Sequence, residues 1–221
     1  MREMKYKGRI VTSLLVFVIN VIDNALIFFI DGSLSWIELI GFPILLPIAW
    51  WFGKQYDKAK FYSENDPLTG IYNRRYVESA FAAAKTRSEH KDQSFAILLL
   101  DVNDFKSVND HFGHKTGDEY LILITNQLKN SVRKTDIVAR WGGDEFLILS
   151  PDIQKKEELD NMLARIHDNL KLQSFNNINI SVSIGSAQYP NDGKCFDDLI
   201  KVADKNMYQM KSQKRLRDTV G

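Results

Sequence analysis

Cysteine is almost missing from this sequence. Among 221 residues only Cys195 carries a thiol, which excludes an intrachain disulfide framework and a cysteine-built zinc cluster. It reads as an ordinary free thiol in a reducing compartment. An excess of either charge is missing too. Lys and Arg number 29 against 28 Asp and Glu, a formal net charge of +1, so the chain lacks the electrostatic footprint of a nucleic-acid binder. No internal repeat or low-complexity tract occurs. The length suits one ordinary domain plus an appendage.

The apolar residues that are present are unevenly spread. "IVTSLLVFVINVIDNALIFFI", Ile10 to Ile30, has only Asn20, Asp23 and Asn24 as strongly polar breaks. "LSWIELIGFPILLPIAWWFG", Leu34 to Gly53, carries the single charge Glu38. Each run is about 20 residues, enough for a helix to cross a hydrocarbon layer of roughly 30 Å. "DGS", Asp31 to Ser33, leaves room only for a tight turn. Arg2, Lys5, Lys7 and Arg9 precede the pair, Lys54, Lys58 and Lys60 follow it, and the turn has no basic residue. That asymmetry puts both ends in the cytoplasm. Trp50 and Trp51 suit an interfacial anchor. Residues 1–53 are therefore expected to form a membrane region with two transmembrane helices, about 10–30 and 34–53. The location implied is the inner (cytoplasmic) membrane, multi-pass, with the N-terminus and the rest of the chain cytoplasmic.

Two plainer readings compete. A cleaved signal peptide would need a shorter core and a small-x-small site. Buried helices of a soluble domain would not be apolar all round over about 40 residues. Asp23 is costly in a membrane, about 2.5–3.5 kcal/mol at a helix centre, but it lies past mid-span. Asp23 and Asn24 either sense a signal or join the two spans.

From Lys54 the composition turns polar. "KQYDKAKFYSEN", 54–65, reads as a helical connector, with a soluble domain over 65–221. "DPLTGIYNRR" is a turn opening a helix to about Ser88. "FAILLLDV", Phe95 to Val102, is a short apolar run and reads as a central strand. "EYLILITNQLKNSVR" has helical periodicity. "DIVARW" and "EFLILS" are strands joined at Gly142 and Gly143 in an antiparallel hairpin. "KEELDNMLARIHDNLKL" is an amphipathic helix, "INISVSIGSAQYP" alternates as one strand, and "FDDLIKVADKNMYQMKSQK" is a last helix. Strands interleaved with helices imply an α/β (α+β) domain with a central, mainly antiparallel sheet.

Asp101 closes an apolar strand, where open sheets place ligand sites. Alone it is as well explained as a turn or cap residue. If the hairpin lies beside it, Asp144 and Glu145 bring a second carboxylate, and clustered carboxylates call for a hard divalent cation. Gly142 and Gly143 have no side chain to block a phosphate. With Lys106 nearby, the set points to nucleoside triphosphate chemistry.

"GGDEF" at 142–146, with "DPLTGIYNRR", "DVNDFKSVNDHFGHKTGDE", "SVSIGSAQYPNDG" and "ADKNMYQMK" in order and at matching spacing, resembles the GGDEF domain of diguanylate cyclases. The resemblance covers about Asn65 to Arg215. It implies a nucleotidyl-cyclase-like fold and condensation of two GTP into cyclic di-GMP with loss of two pyrophosphates. By resemblance, Asp101, the carbonyl of Val102, Asp144 and Glu145 hold Mg²⁺ (or Mn²⁺), and Asp144 is the base for the 3′-hydroxyl. Lys106 offsets phosphate charge, Asn109 and Asp118 read guanine, and Lys211 and Arg215 bind phosphate. The acceptor-only carboxylate of Asp118 suits guanine's donors. "RKTD" has the form RxxD, so Arg133 and Asp136 are expected to form an inhibitory product site. One domain binds one GTP, so ring closure requires a homodimer. Taken singly, each of these residues reads as a surface charge.

The resemblance has departures: Ile71 stands where Leu is usual, Lys214 where glycine is usual and Leu216 where asparagine is usual. No phosphodiesterase module is expected. The alternatives to a cyclase are a cyclic di-GMP receptor without catalysis and a membrane signalling scaffold. The partners implied are GTP, cyclic di-GMP as product and inhibitor, a second copy and a membrane, with no nucleic acid.

Overall fold

The computed structural model describes residues 6–32, 36–175 and 178–220; the side chains of 36–39, 178, 215 and 217–220 are outside the described set, as are Arg2, Lys5 and Ser33 to Ser35 of the expected hairpin. The chain divides into two compact units, 2–64 and 65–221.

The first unit pairs helix α1 (Lys7–Asp31) with helix α2 (Trp36–Glu64). They run antiparallel, since Phe17 meets Phe42, Thr12 Oγ1 donates to the Ala49 carbonyl at 2.8 Å, and Gly8 meets Asp57. Asp57, 6% exposed, caps α1 from the other helix: it accepts from the backbone N–H of Gly8 (2.6 Å) and Arg9 (3.2 Å). This satisfies N–H groups that a helix start leaves without intrahelical partners. Asn24 donates within its own helix, to the Asn20 carbonyl, and Asp23 is exposed.

Among the described residues only α1 is long and apolar enough to cross a membrane. The expectation of two crossing helices is thus supported for one. The second stretch carries Pro43 and Pro47 inside α2, and α2 passes Gly53 without a break and continues as a polar helix to Glu64.

In the second unit the elements are β1 (Tyr72–Asn73), α3 (Arg74–Lys91), β2 (Phe95–Val102), α4 (Phe105–Phe112), α5 (His114–Ser131), β3 (Ile137–Arg140), β4 (Glu145–Ser150), α6 (Lys156–Lys171), β5 (Ser174–Phe175), β6 (Ile178–Asn179), β7 (Val182–Tyr189) and α7 (Phe196–Val220). The main sheet has the order β1-β3-β4-β2-β7. Only the β1–β3 pair is parallel, so the sheet is mixed and mainly antiparallel.

Strand β2 is apolar as far as Asp101 because helices cover both of its faces. Its even residues Leu98 and Leu100 join Phe146, Ile148 and side chains of α4, α5 and α6 in one core. Its odd residues Phe95, Ile97 and Leu99 join Leu147, Leu149, and Val77 and Leu199 from α3 and α7 in the other. Alternation therefore assigns Asp101 and Glu145 to the face that α7 covers. The last strand, expected as one run, is two: β6 and β7 are separated at Ile180 and Ser181, where the Ser181 carbonyl accepts from the N–H of Asn103 at 2.9 Å.

Candidate active site

The β3–β4 hairpin delivers its tip beside the end of β2. Asp101 faces Glu145 directly across the antiparallel pair and Ser183 on the other side. The Val102 N–H donates to the Asp144 carbonyl at 3.1 Å, which ties the tip to the strand. Arg140 fixes the tip from below: its guanidinium donates to the Gly143 carbonyl at 2.7 Å and reaches Asp66 at 3.3 Å. Asp66 also accepts from Thr69 N (2.8 Å), so the "DPLTG" turn and the hairpin share one clamp.

Acidic charge accumulates here. Burial pushes the Glu145 carboxyl up from its ordinary value, and the charges of Asp101, Asp144 and Asp204 push it further. Lys211 acts in the opposite direction. Its ammonium sits 2.5 Å from Asp101 Oδ1, with the two side chains 27% and 14% exposed. Helix α7 can approach this closely because of Gly185 in β7, where an added Cβ would lie 2.0 Å from the Ala203 carbonyl oxygen. The helix backbone rests on the strand there, and Lys211 follows two turns later.

The two hairpin glycines differ in kind. A Cβ on Gly142 would lie 2.7 Å from Glu145 Oε2, so this glycine makes room for the carboxylate. A Cβ on Gly143 would meet nothing within 4 Å. Only Gly143 leaves open space of the kind expected for a phosphate.

Helices α4 and α5 carry the other expected residues. Asn109 packs on Gly117, where a Cβ would come within 2.0 Å of its Oδ1. Asp118, next in sequence, is exposed at the start of α5, and Lys106 is exposed on α4. Neither forms an ion pair among the described residues. Arg215 lies in α7, but its side chain is outside the described set.

The residues fit a hard divalent cation by chemistry rather than as a finished cage. Among the described residues no three acidic, imidazole or thiol groups already converge as ligands. Two facing carboxylates, oxygen donors only, are instead held against an ammonium that a cation would replace.

Arg133 and Asp136 lie away from these acids. They line a cavity of about 240 Å³ together with Ser150, Glu158, Asn161 and Arg165. Asp136 accepts from the Arg133 N–H at 2.7 Å and from Ser150 Oγ at 2.8 Å. Each carboxylate oxygen keeps capacity for another donor. Arg165 of α6, whose Nε donates to the Ser131 carbonyl at 2.6 Å, adds a second guanidinium that no sequence motif marks. Asp204, Arg140 and Asp66 likewise have no role that the sequence alone assigns. No local signal marks them, because each acts through a contact made by folding.

Comparison with known proteins follows the same lines. Residues 63–217 match the family model described as diguanylate cyclase, GGDEF domain. The bifunctional diguanylate cyclase/cyclic di-GMP phosphodiesterase MucR of Pseudomonas aeruginosa is 36% identical over 157 residues, covering 68% of this chain and 22% of MucR. Diguanylate cyclase TpbB of the same species is 35% identical over 158 residues, covering 69% of this chain and 36% of TpbB. A sensory box/GGDEF family protein from Caulobacter crescentus has a solved structure with a TM-score of 0.62 and 32% identity, covering 68% of this chain and 99% of that one. The chain spans between 22% and 46% of the length of such curated relatives. The match over 63–217 coincides with the unit that holds the acidic hairpin and its lysine, and the chain belongs to the diguanylate cyclase GGDEF-domain family.

Proposed function

We propose that the chain condenses two GTP molecules into cyclic di-GMP and two pyrophosphates. The observation that carries this is the register of Asp101 opposite Glu145, with Asp144 beside them and Lys211 as their counter-charge. Asp101, Asp144, Glu145 and the Val102 carbonyl would hold Mg²⁺, or Mn²⁺. When bound, such an ion draws charge from the α-phosphate and acidifies the 3′-hydroxyl.

The protein's own groups do the rest. Asn109 and Asp118 bind the guanine edge, and the carboxylate favours guanine's two donors over adenine's acceptor. Asp144 accepts the 3′-hydroxyl proton as the oxygen attacks the α-phosphorus of the other nucleotide. One P–O bond to the ribose oxygen forms, the bond to the β-phosphate oxygen breaks, and pyrophosphate leaves. Lys106, Lys211 and Arg215 take up charge on the departing phosphates. Two such steps close the ring. Each needs the partner's nucleotide, so the active species is a homodimer with facing half-sites.

Arg133, Asp136 and Arg165 form the inhibitory product site. Guanidinium groups clamp phosphates in a fork geometry, and Asp136 accepts guanine donors. Helix α1 anchors the chain in a membrane, on the strength of its length and apolar composition. Full-length protein incubated with GTP and Mg²⁺ should accumulate cyclic di-GMP, as read by chromatography. Retained cyclic di-GMP binding without synthesis would instead identify a receptor.

A further inference from the structure

The end of the strand that carries Asp101 is fastened by one buried side chain. Asn103 follows β2 directly and is 8% exposed. Both ends of its amide are used on the β7 side. Nδ2 donates to Ser181 Oγ at 2.9 Å, and Oδ1 accepts from Ser183 Oγ at 2.8 Å. The Asn103 backbone N–H donates to the Ser181 carbonyl at 2.9 Å. Ser183 is fully buried, and Ser181 Oγ also accepts from the Lys214 ammonium, so the hydroxyls are themselves held in place. A buried amide satisfied at both ends specifies one arrangement, because any shift leaves polar groups unpaired.

That arrangement decides where the Val102 carbonyl points. The Val102 N–H donates to the Asp144 carbonyl at 3.1 Å, on the hairpin side. In an extended strand the N–H and C=O of one residue lie on the same side, and those of the next residue on the other. Asn103 is bonded to the β7 side, so the Val102 carbonyl is turned to the hairpin. On that side the ladder ends at Asp101 opposite Glu145, and no residue of β4 pairs with Val102. A backbone carbonyl without a ladder partner, on a residue 1% exposed, is an oxygen donor suited to a hard cation.

We propose that Asn103 is a positioning residue of the cation site: by fastening the end of β2 to β7, its amide aims the Val102 carbonyl at an ion held by Asp101 and Asp144. Asn103 acts through the backbone of Val102, and Ser183 supports it by holding the amide oxygen. The proposal rests on the cation reading of the acidic hairpin.

The test uses the full chain, with wild type beside Asn103→Leu and Ser183→Ala. Asn103→Leu is near in volume and removes both amide bonds, and Ser183→Ala removes one. Titration with Mn²⁺ in the absence of nucleotide, followed by electron paramagnetic resonance, reads the site apart from activity. Asn103→Leu is expected to bind Mn²⁺ about tenfold more weakly, and Ser183→Ala about threefold. Synthesis by Asn103→Leu should fall about tenfold at limiting Mg²⁺ and recover most of its rate in excess Mg²⁺. A merely structural role would lower Tm without that recovery. Wild-type Mn²⁺ affinity in both variants overturns the proposal, as does a lost rate that excess Mg²⁺ does not recover. If Asn103→Leu does not fold, Ser183→Ala decides alone. Asp101→Asn separates the two readings. Wild-type Mn²⁺ affinity in Asp101→Asn overturns the cation reading itself. Affinity lost in Asp101→Asn but kept in Asn103→Leu and Ser183→Ala overturns only the role of Asn103.

Discussion

Around Asp101 no charge can change without its neighbours responding. Lys211 holds Asp101 Oδ1 at 2.5 Å, so a cation seeking that oxygen must displace the lysine. Lys211→Met should therefore bind Mn²⁺ more tightly in the absence of nucleotide, about tenfold, since one local positive charge is removed. The same variant should bind GTP more weakly. Titration with Mn²⁺, followed by electron paramagnetic resonance, checks the first outcome. Glu145 responds with the opposite sign. Its carboxyl is pushed up in the folded chain, so ionising it costs stability. Its favourable contribution is complete below the usual carboxylate range and is lost as pH rises through the raised value. Glu145→Gln is expected to raise Tm at pH 7 by roughly 1–3 °C, and the gain should vanish as pH falls below about 4. A gain that grows toward low pH would contradict this charge balance. Asp101, Asp144, Glu145 and Lys211 are visible in the sequence as residue types, but not Asp204, whose exposed position on α7 gains meaning only beside the hairpin.

At the scale of elements, the active site depends on how closely α7 lies on the sheet. Gly185→Val forces a side chain into the Ala203 and Met207 backbone, a misfit that no rotamer relieves. It should destabilise the domain by about 2–3 kcal/mol in urea unfolding and remove synthesis by moving Lys211 away from Asp101. The cavity proposed for product is likewise built between elements, from the α5–β3 loop, the end of β4 and helix α6. Arg133→Ala should abolish inhibition by cyclic di-GMP while leaving the uninhibited rate within about twofold, because the cavity lies apart from the acids. Initial rates with added product measure this, and unchanged inhibition would remove Arg133 from the site. Strands such as "FAILLLDV" and "EFLILS" were legible because two helical layers demand continuous apolar runs. The two-residue strands β1, β5 and β6 were not, since so short a stretch has no period to read. Arg165 reads as one more charge on an amphipathic helix, and only the packing of α6 on α5 brings it to the Ser131 carbonyl beside the cavity.

For the whole molecule the proposed reaction has a consequence: one chain would hold half of it. With one nucleotide bound per GGDEF unit and ring closure needing two, the rate per chain should rise with protein concentration until dimers saturate. A residue 65–221 fragment, without the paired helices, should need more protein to reach half its maximal specific rate than the full chain. Equal concentration profiles would show that the N-terminal helices do not set the assembly. The N-terminal apolar stretch is legible in the sequence as length, and α1 is long and apolar enough to cross a membrane. The second crossing rested on the same argument, but α2 runs unbroken from apolar to polar residues, so its helix ends far from where the apolar stretch does.

The central claim is tested most directly by synthesis of cyclic di-GMP from GTP and Mg²⁺, comparing the full chain with Asp144→Ala at equal concentration. Product from the wild type is expected, with at least roughly a hundredfold less from the variant and no loss of Tm. Synthesis by Asp144→Ala at the wild-type rate would contradict the account.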